Sequence, residues 1–119
     1  MKKTNKFLII GYGSIGRRHL KNILSFNKNS SLAVFTKQKI EGVINFSNLK
    51  EIKKYNPDYI IISTSTNLHY KYISFIEKNL NNKNILVEKP LFNNEKKLKI
   101  TKNKIFVGYN LRFHPLINF

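Results

Sequence analysis

Cysteine is absent from the 119 residues. Disulfides, thiolate metal centres and a cysteine nucleophile are excluded with it. Acid is scarce: six Asp and Glu stand against 22 Lys and Arg, for a formal net charge of +16. Long apolar runs are missing as well, and none approaches the ~20 residues that a membrane-spanning helix needs. The amino terminus, Met1-Lys-Lys-Thr-Asn-Lys6, carries the charge of a secretory leader. Only Phe7–Ile10 is apolar before glycine intervenes, too little for a leader's core, and a cytoplasmic protein is the simplest expectation.

A chain this basic invites a nucleic-acid or anionic-membrane partner. The distribution argues otherwise. Arg supplies only three of the 22 cations, and the lysines are scattered without a dense stripe. With Asn and Ile also abundant, this reads as compositional drift of an AT-rich coding sequence rather than as a nucleic-acid surface. The charge still favours anionic cofactors and substrates. An apolar content of 41% lies in the globular range and argues against disorder. The length suits one domain, residues 1–119, with one modest core.

Glycine is sparse too, five in all, yet Gly11, Gly13 and Gly16 fall in one short stretch, Lys6-Phe-Leu-Ile-Ile-Gly-Tyr-Gly-Ser-Ile-Gly16. Lys6–Ile10 is short, apolar and closed by glycine, as a buried strand is. After the loop, Ile15, His19, Leu20, Ile23 and Leu24 recur at helical spacing and make one apolar face. Strand, glycine loop and helix in that order form the dinucleotide-binding pattern. Gly11 permits the tight turn, Gly13 lets the main chain approach the diphosphate, and Gly16 lets the helix lie close to the strand. Tyr12, Ser14 and Ile15 line the same loop. The first-turn amides have no partner inside the helix and meet the anion. An ordinary glycine-rich turn of an α/β domain is the competing reading.

The remainder alternates strand and helix signals. Ser31–Phe35 and Val43–Phe46 read as strands, and Asn48–Tyr55 as a brief helix with Ser47 or Asn48 to cap it. Tyr59–Ser63 is the strongest strand; its unbroken apolar character argues for burial on both faces. Thr66 is expected to cap a helix running to about Leu80, with Leu68, Tyr72, Phe75, Ile76 and Leu80 on its apolar face. Asn84–Glu88 is a fifth strand, stopped by Pro90. Asn93–Lys102 reads as a short helix or a loop, and Ile105–Tyr109 as a sixth strand. The alternation predicts an α/β fold, a doubly wound parallel sheet of Rossmann type. Ligands of such sheets bind beyond the carboxyl ends of the strands. The segments after each strand therefore matter most: Gly11–Gly16, Thr36–Lys39, Ser63–Asn67, Glu88–Pro90 and Asn110–His114.

Three of those segments stand in the order and spacing of one family. Gly-Tyr-Gly-Ser-Ile-Gly-Arg-Arg-His (11–19), Glu88-Lys89-Pro90-Leu91 and Gly108-Tyr-Asn-Leu-Arg-Phe-His-Pro115 resemble the amino-terminal domain of the Gfo/Idh/MocA oxidoreductases. Ser63-Thr-Ser-Thr-Asn-Leu-His69 also matches, as small polar residues followed by histidine after the fourth strand. The glycine loop alone is unspecific, and the Glu-Lys-Pro run is much more specific.

The resemblance implies an NAD(P)-dependent dehydrogenase acting on a CH–OH carbon of a small sugar-like or cyclitol substrate, with no metal. Lys89 matches the family's catalytic lysine, whose ammonium would hydrogen-bond the reacting oxygen. A nearby nicotinamide cation and partial burial both disfavour a second positive charge, the condition for proton transfer. Glu88 would orient Lys89, and Pro90 would stiffen the turn. Ser63, Thr64, Ser65 and Asn67 would meet the ribose and nicotinamide side. His69 falls where the family often carries histidine; packing near Tyr72 and Ile73 is the equal alternative. Arg112 would serve the substrate side, and His114, beside Pro115, a fixed bend.

Two departures from the family pattern matter. An acid at the end of the second strand would hold the ribose 2′-hydroxyl of NAD. The chain offers Thr36 and Lys37 instead, which leans towards NADP, and Glu41 lies too far along to substitute. The family also continues into a second α/β domain that supplies the substrate pocket and the homo-oligomer interface, and the chain stops at Phe119. A missing carboxyl-terminal domain or a split partner is thus implied, and the chain alone is expected to be inactive. The alternatives are a non-catalytic dinucleotide- or partner-binding fragment, a basic nucleic-acid binder and a methyltransferase. The last expects an acid where Thr36-Lys37 stands.

Overall fold

Among the described residues, six short strands form one sheet in the order β3-β2-β1-β4-β5-β6, and every neighbouring pair is parallel. They are β1 (Lys6–Ile10), β2 (Ser31–Phe35), β3 (Ile44–Phe46), β4 (Tyr59–Ile62), β5 (Asn84–Glu88) and β6 (Lys104–Gly108). Helices α1 (Leu49–Tyr55) and α2 (His69–Asn79) lie between strands, the latter preceded by a 3-10 turn at Thr66–Leu68. The computed structural model describes residues 5–13, 16–18, 20, 21, 23, 31–88 and 100–108. Residues 16–18, 20, 21 and 23 are helical.

Strand order follows from alternation of apolar residues that must be buried on both faces. Leu8 and Ile10 point into one core with Ala33, Ile60, Ile62, Ile85 and Val87, where Ile52 of α1 and Ile73 and Ile76 of α2 cover them. Phe7 and Ile9 point into the other with Leu32, Val34, Ile61 and Leu86, under Leu20 and Ile23 of the glycine-loop helix. From β1 the chain winds outward through β2 to β3, then returns to β4 on the other side of β1. The reversal leaves a crevice at the carboxyl ends of β1 and β4, where Ile10 stands beside Ile62.

Asn48, of the two capping candidates, caps α1. Its Oδ1 accepts from the Lys50 amide at 2.9 Å, while Glu51 Oε1 accepts from the Asn48 amide at 3.1 Å. This reciprocal pair satisfies amides that the helix cannot. Asn56, left-handed at φ 56°, ends the helix. Strand limits differ slightly from the sequence reading: β3 starts at Ile44, β4 stops at Ile62 and β6 starts at Lys104. Tyr109 and residues 91–99 lie outside the described residues.

Thr66 is not a helix cap. It opens the 3-10 turn, and α2 begins three residues later at His69 without a side-chain cap. The tight turn satisfies the backbone locally, with the Leu68 amide bonded to the Ser65 carbonyl at 3.0 Å. The rotation also buries Ile73, which the predicted apolar face omitted, and leaves Leu68 and Phe75 half-buried at the core's margin.

Candidate functional site

The glycine loop is fixed by what its glycines touch. Gly11 leaves β1 at φ 95°, a left-handed conformation that favours glycine, and its amide donates to the Phe35 carbonyl at 3.0 Å. A Cβ there would stand 2.9 Å from Thr64 Cγ2. A Cβ on Gly16 would stand 2.5 Å from the Gly11 carbonyl oxygen and 3.0 Å from Ser63 Oγ. Both glycines are thus demanded by the protein's own packing. Gly13 is different: it is exposed, and nothing lies within 4 Å of where its Cβ would be. Its carbonyl accepts from the Arg17 amide at 3.0 Å, the start of the helical ladder. Amides of a first turn have no carbonyl behind them within the helix. The open space beside Gly13 therefore adjoins backbone donors at the positive end of a helix, a cradle that suits a diphosphate.

The loop after β4 braces that cradle. Ser63 Oγ donates towards the Gly11 carbonyl at 2.9 Å and the Ile10 carbonyl at 3.2 Å. Thr64 Oγ1 donates to the Ser65 carbonyl at 3.3 Å and turns its methyl towards Gly11. His69 is 3% exposed, and its Nε2 lies 3.2 Å from the Thr64 carbonyl oxygen, which only accepts, so this nitrogen carries the proton. His69 thus acts on the crevice through Thr64, from beneath the loop. Ser65 and Asn67 are exposed on the same segment.

The loop after β2 completes the corner. The Thr36 amide donates to the Phe46 carbonyl at 3.0 Å, and Thr36 Oγ1 accepts from the Gln38 amide at 3.2 Å. Lys37 is exposed. Gln38 Nε2 donates to the Tyr12 carbonyl at 3.2 Å, tying the end of β2 to the glycine loop. The Arg17 guanidinium lies 5.4 Å from the centre of the Tyr12 ring, in cation–π range. Sequence reasoning missed Gln38 and Arg17. Gln38 stands in the Thr36–Lys39 segment, but attention fell on the residues that bond phosphate.

Gly11, Tyr12, Gly13, Gly16, Thr36, Ser63 and Thr64 thus converge on the carboxyl ends of β1, β2 and β4. Glu88 ends β5 at the same edge, opposite Gly108 of β6. Ser14, Ile15, Lys89, Pro90, Arg112 and His114 lie outside the described residues. Among the described residues no three His, Asp or Glu side chains are grouped to hold a metal ion, and no helix is long and apolar enough to cross a membrane.

Comparison with known proteins bears on this geometry. The WlbA dehydrogenase of Bordetella pertussis, solved with NADH and UDP-GlcNAcA, superposes with a TM-score of 0.69 at 16% identity, over 98% of this chain and 40% of that one. The scyllo-inositol dehydrogenase of Lactobacillus casei superposes with a TM-score of 0.64 at 23% identity, over 77% of this chain and 30% of that one. The WlbA (WbpB) dehydrogenase of Thermus thermophilus, solved with NAD and UDP-GlcNAcA, gives 0.58 at 25% identity, over 75% and 34%. The chain therefore spans less than half the length of each. The two WlbA complexes hold NAD or NADH, and nothing here supports the lean towards NADP. No curated protein matches the chain by sequence. The Gfo/Idh/MocA model, described as an oxidoreductase family with an NAD-binding Rossmann fold, matches residues 5–104, and the chain belongs to that family.

Proposed function

We propose that residues 1–119 form the cofactor half of an NAD-dependent dehydrogenase that interconverts a CH–OH carbon of a sugar-like or cyclitol substrate and the corresponding carbonyl. The reading rests on one observation above all. Of three clustered glycines, two are required by internal packing, and Gly13 alone faces open space beside first-turn amides. A glycine that the fold itself does not need is explained by a ligand that approaches the main chain closely. Family membership and the names of the similar dehydrogenases point to the same substrate class.

The roles divide along the crevice. Gly11, Tyr12, Gly13, Ser14, Ile15 and Gly16 hold the diphosphate. Thr36 and Lys37 stand at the adenosine end. Ser63, Thr64, Ser65, Asn67 and His69 shape the ribose and nicotinamide side. Ser63 and His69 do so by holding loop carbonyls in place. The nicotinamide, when bound, supplies the hydride acceptor or donor. Lys89, by its match to the family's Glu-Lys-Pro run, is the catalytic residue. Its side chain would hydrogen-bond the reacting oxygen, giving it a proton as the carbonyl is reduced and, as the neutral amine, taking one as the hydroxyl is oxidised, while Glu88 orients it. Arg112, by its place in the family's Arg-Phe segment, serves the substrate. This chain, which spans less than half the length of the similar dehydrogenases, is expected to turn over no sugar alone.

Titration calorimetry tests the reading. The folded chain is expected to bind NADH in the micromolar range or more weakly. Absence of heat with both NADH and NADPH, on protein shown to be folded, overturns it.

A further inference from the structure

The corner between the ends of β1 and β2 contains a contact with chemical consequences. The base of the β2 loop is pinned. Thr36 is held to Phe46, and Asn45 bonds the Ile40 amide and carbonyl at 2.9 Å and 2.6 Å. Ile40 also packs on the core beneath Leu20 and Ile23. Between those anchors, the exposed Gln38 sends its side chain across to the glycine loop and donates Nε2 to the Tyr12 carbonyl.

A carbonyl only accepts, so this bond sets which way the amide lies. One of the two Nε2 hydrogens goes to Tyr12, and the amide is held with Oε1 as its acceptor. In doubly wound sheets the adenosine ribose is read at the end of the second strand, beside the glycine loop. We propose that Gln38 reads the 2′ position of that ribose. Its Oε1 accepts from a 2′-hydroxyl and repels the oxygens of a 2′-phosphate. Gln38 thereby does the work of the acid that the end of β2 lacks, without carrying charge. Glu41, exposed and three residues on, is not required. Thr36 cannot substitute as freely, since its oxygen already accepts from the Gln38 amide.

The inference rests on the dinucleotide-binding reading and has its own test. Dissociation constants for NADH and NADPH are measured on the 119-residue chain and on Gln38→Ala and Gln38→Glu, each checked by thermal melting. The wild-type chain is expected to prefer NADH. Gln38→Ala removes the acceptor, leaving Thr36, Lys37 and Lys39, so the ratio of NADPH to NADH constants should fall about tenfold. Gln38→Glu cannot donate to Tyr12 yet keeps an acceptor and adds charge, so the ratio should rise. Opposite movement of the two variants separates ribose reading from simple loop bracing, which both would disturb alike. A wild-type preference for NADPH, or ratios within about twofold of wild type in both variants, overturns the inference and leaves dinucleotide binding standing. Binding of neither nucleotide by the wild-type chain removes both.

Discussion

At the amino end of the sheet, side chains tie turns and helix ends to the strands. At the carboxyl end they bond to main-chain carbonyls around the glycine loop, beside the open space at Gly13. Asp58 takes the Lys6 amide at 2.9 Å, Lys6 Nζ donates to the Tyr55 carbonyl at 3.1 Å, and the Ser31 and Tyr55 hydroxyls meet at 2.6 Å. Further along the same end, Asn103 is buried. It donates to Glu77 at 3.1 Å and to the Leu80 carbonyl at 3.0 Å, and accepts from the Lys83 amide at 2.7 Å. These are long-range ties that staple turn to strand. Opposite them, Ser63, Thr64, Gln38 and His69 all act on backbone oxygens within the crevice loops. At one end polar groups anchor the turns that enter the strands; at the other they hold the backbone of the loops around Gly13.

That contrast can be broken most severely at the carboxyl end. Gly13→Val should abolish NADH binding by filling the space that the diphosphate needs, while thermal melting stays near wild type, because nothing lies within 4 Å of where its Cβ would be. Gly16→Ala should do the reverse and damage the fold. Its Cβ would press on the Gly11 carbonyl, at a cost of about 1–3 kcal/mol or more, and melting should fall by several degrees.

At the amino end, Tyr55→Phe removes the hydroxyl bonded to Ser31 and should cost about 1 kcal/mol in denaturant unfolding, with NADH affinity unchanged. The smallest effect concerns Glu77. Burial works to raise its pKa and is outweighed by hydrogen bonds from Asn103, Thr101 and Lys102, so it lies below the ordinary value near 4.5. A lowered carboxyl contributes stability that is present above the ordinary value and lost as pH falls through the folded one. Glu77→Gln should therefore flatten the acid limb of a stability–pH curve, by lowering stability at neutral pH and not at acid pH, and only slightly, since the group is solvated.

Sequence pattern carried the sheet well because unbroken runs such as Tyr-Ile-Ile-Ile and Phe-Leu-Ile-Ile have few other places to go than between two helical layers. The glycine positions were equally plain. Their division of labour was not, since it depends on Thr64 and Ser63, over 50 residues along the chain. The start of α2 was misread for a related reason. Thr66 has the chemistry of a cap, but a 3-10 turn already satisfies those amides. His69 could be read either way from its neighbours; its burial against the Thr64 carbonyl is a fact of tertiary placement. Gln38 escaped notice because a bond from a side chain to a backbone oxygen 26 residues away leaves no mark in composition or spacing.

The central claim is that a diphosphate is gripped by main-chain amides beside Gly13. Amide resonances followed by NMR during an NADH titration test it most directly. The account predicts the largest shifts at Gly13, Gly16 and Arg17, smaller ones at Gln38 and Thr64, and none at Lys6, Ser31 or Asn103. Shifts centred on the amino end of the sheet, or a glycine loop unmoved at saturating NADH, would contradict it.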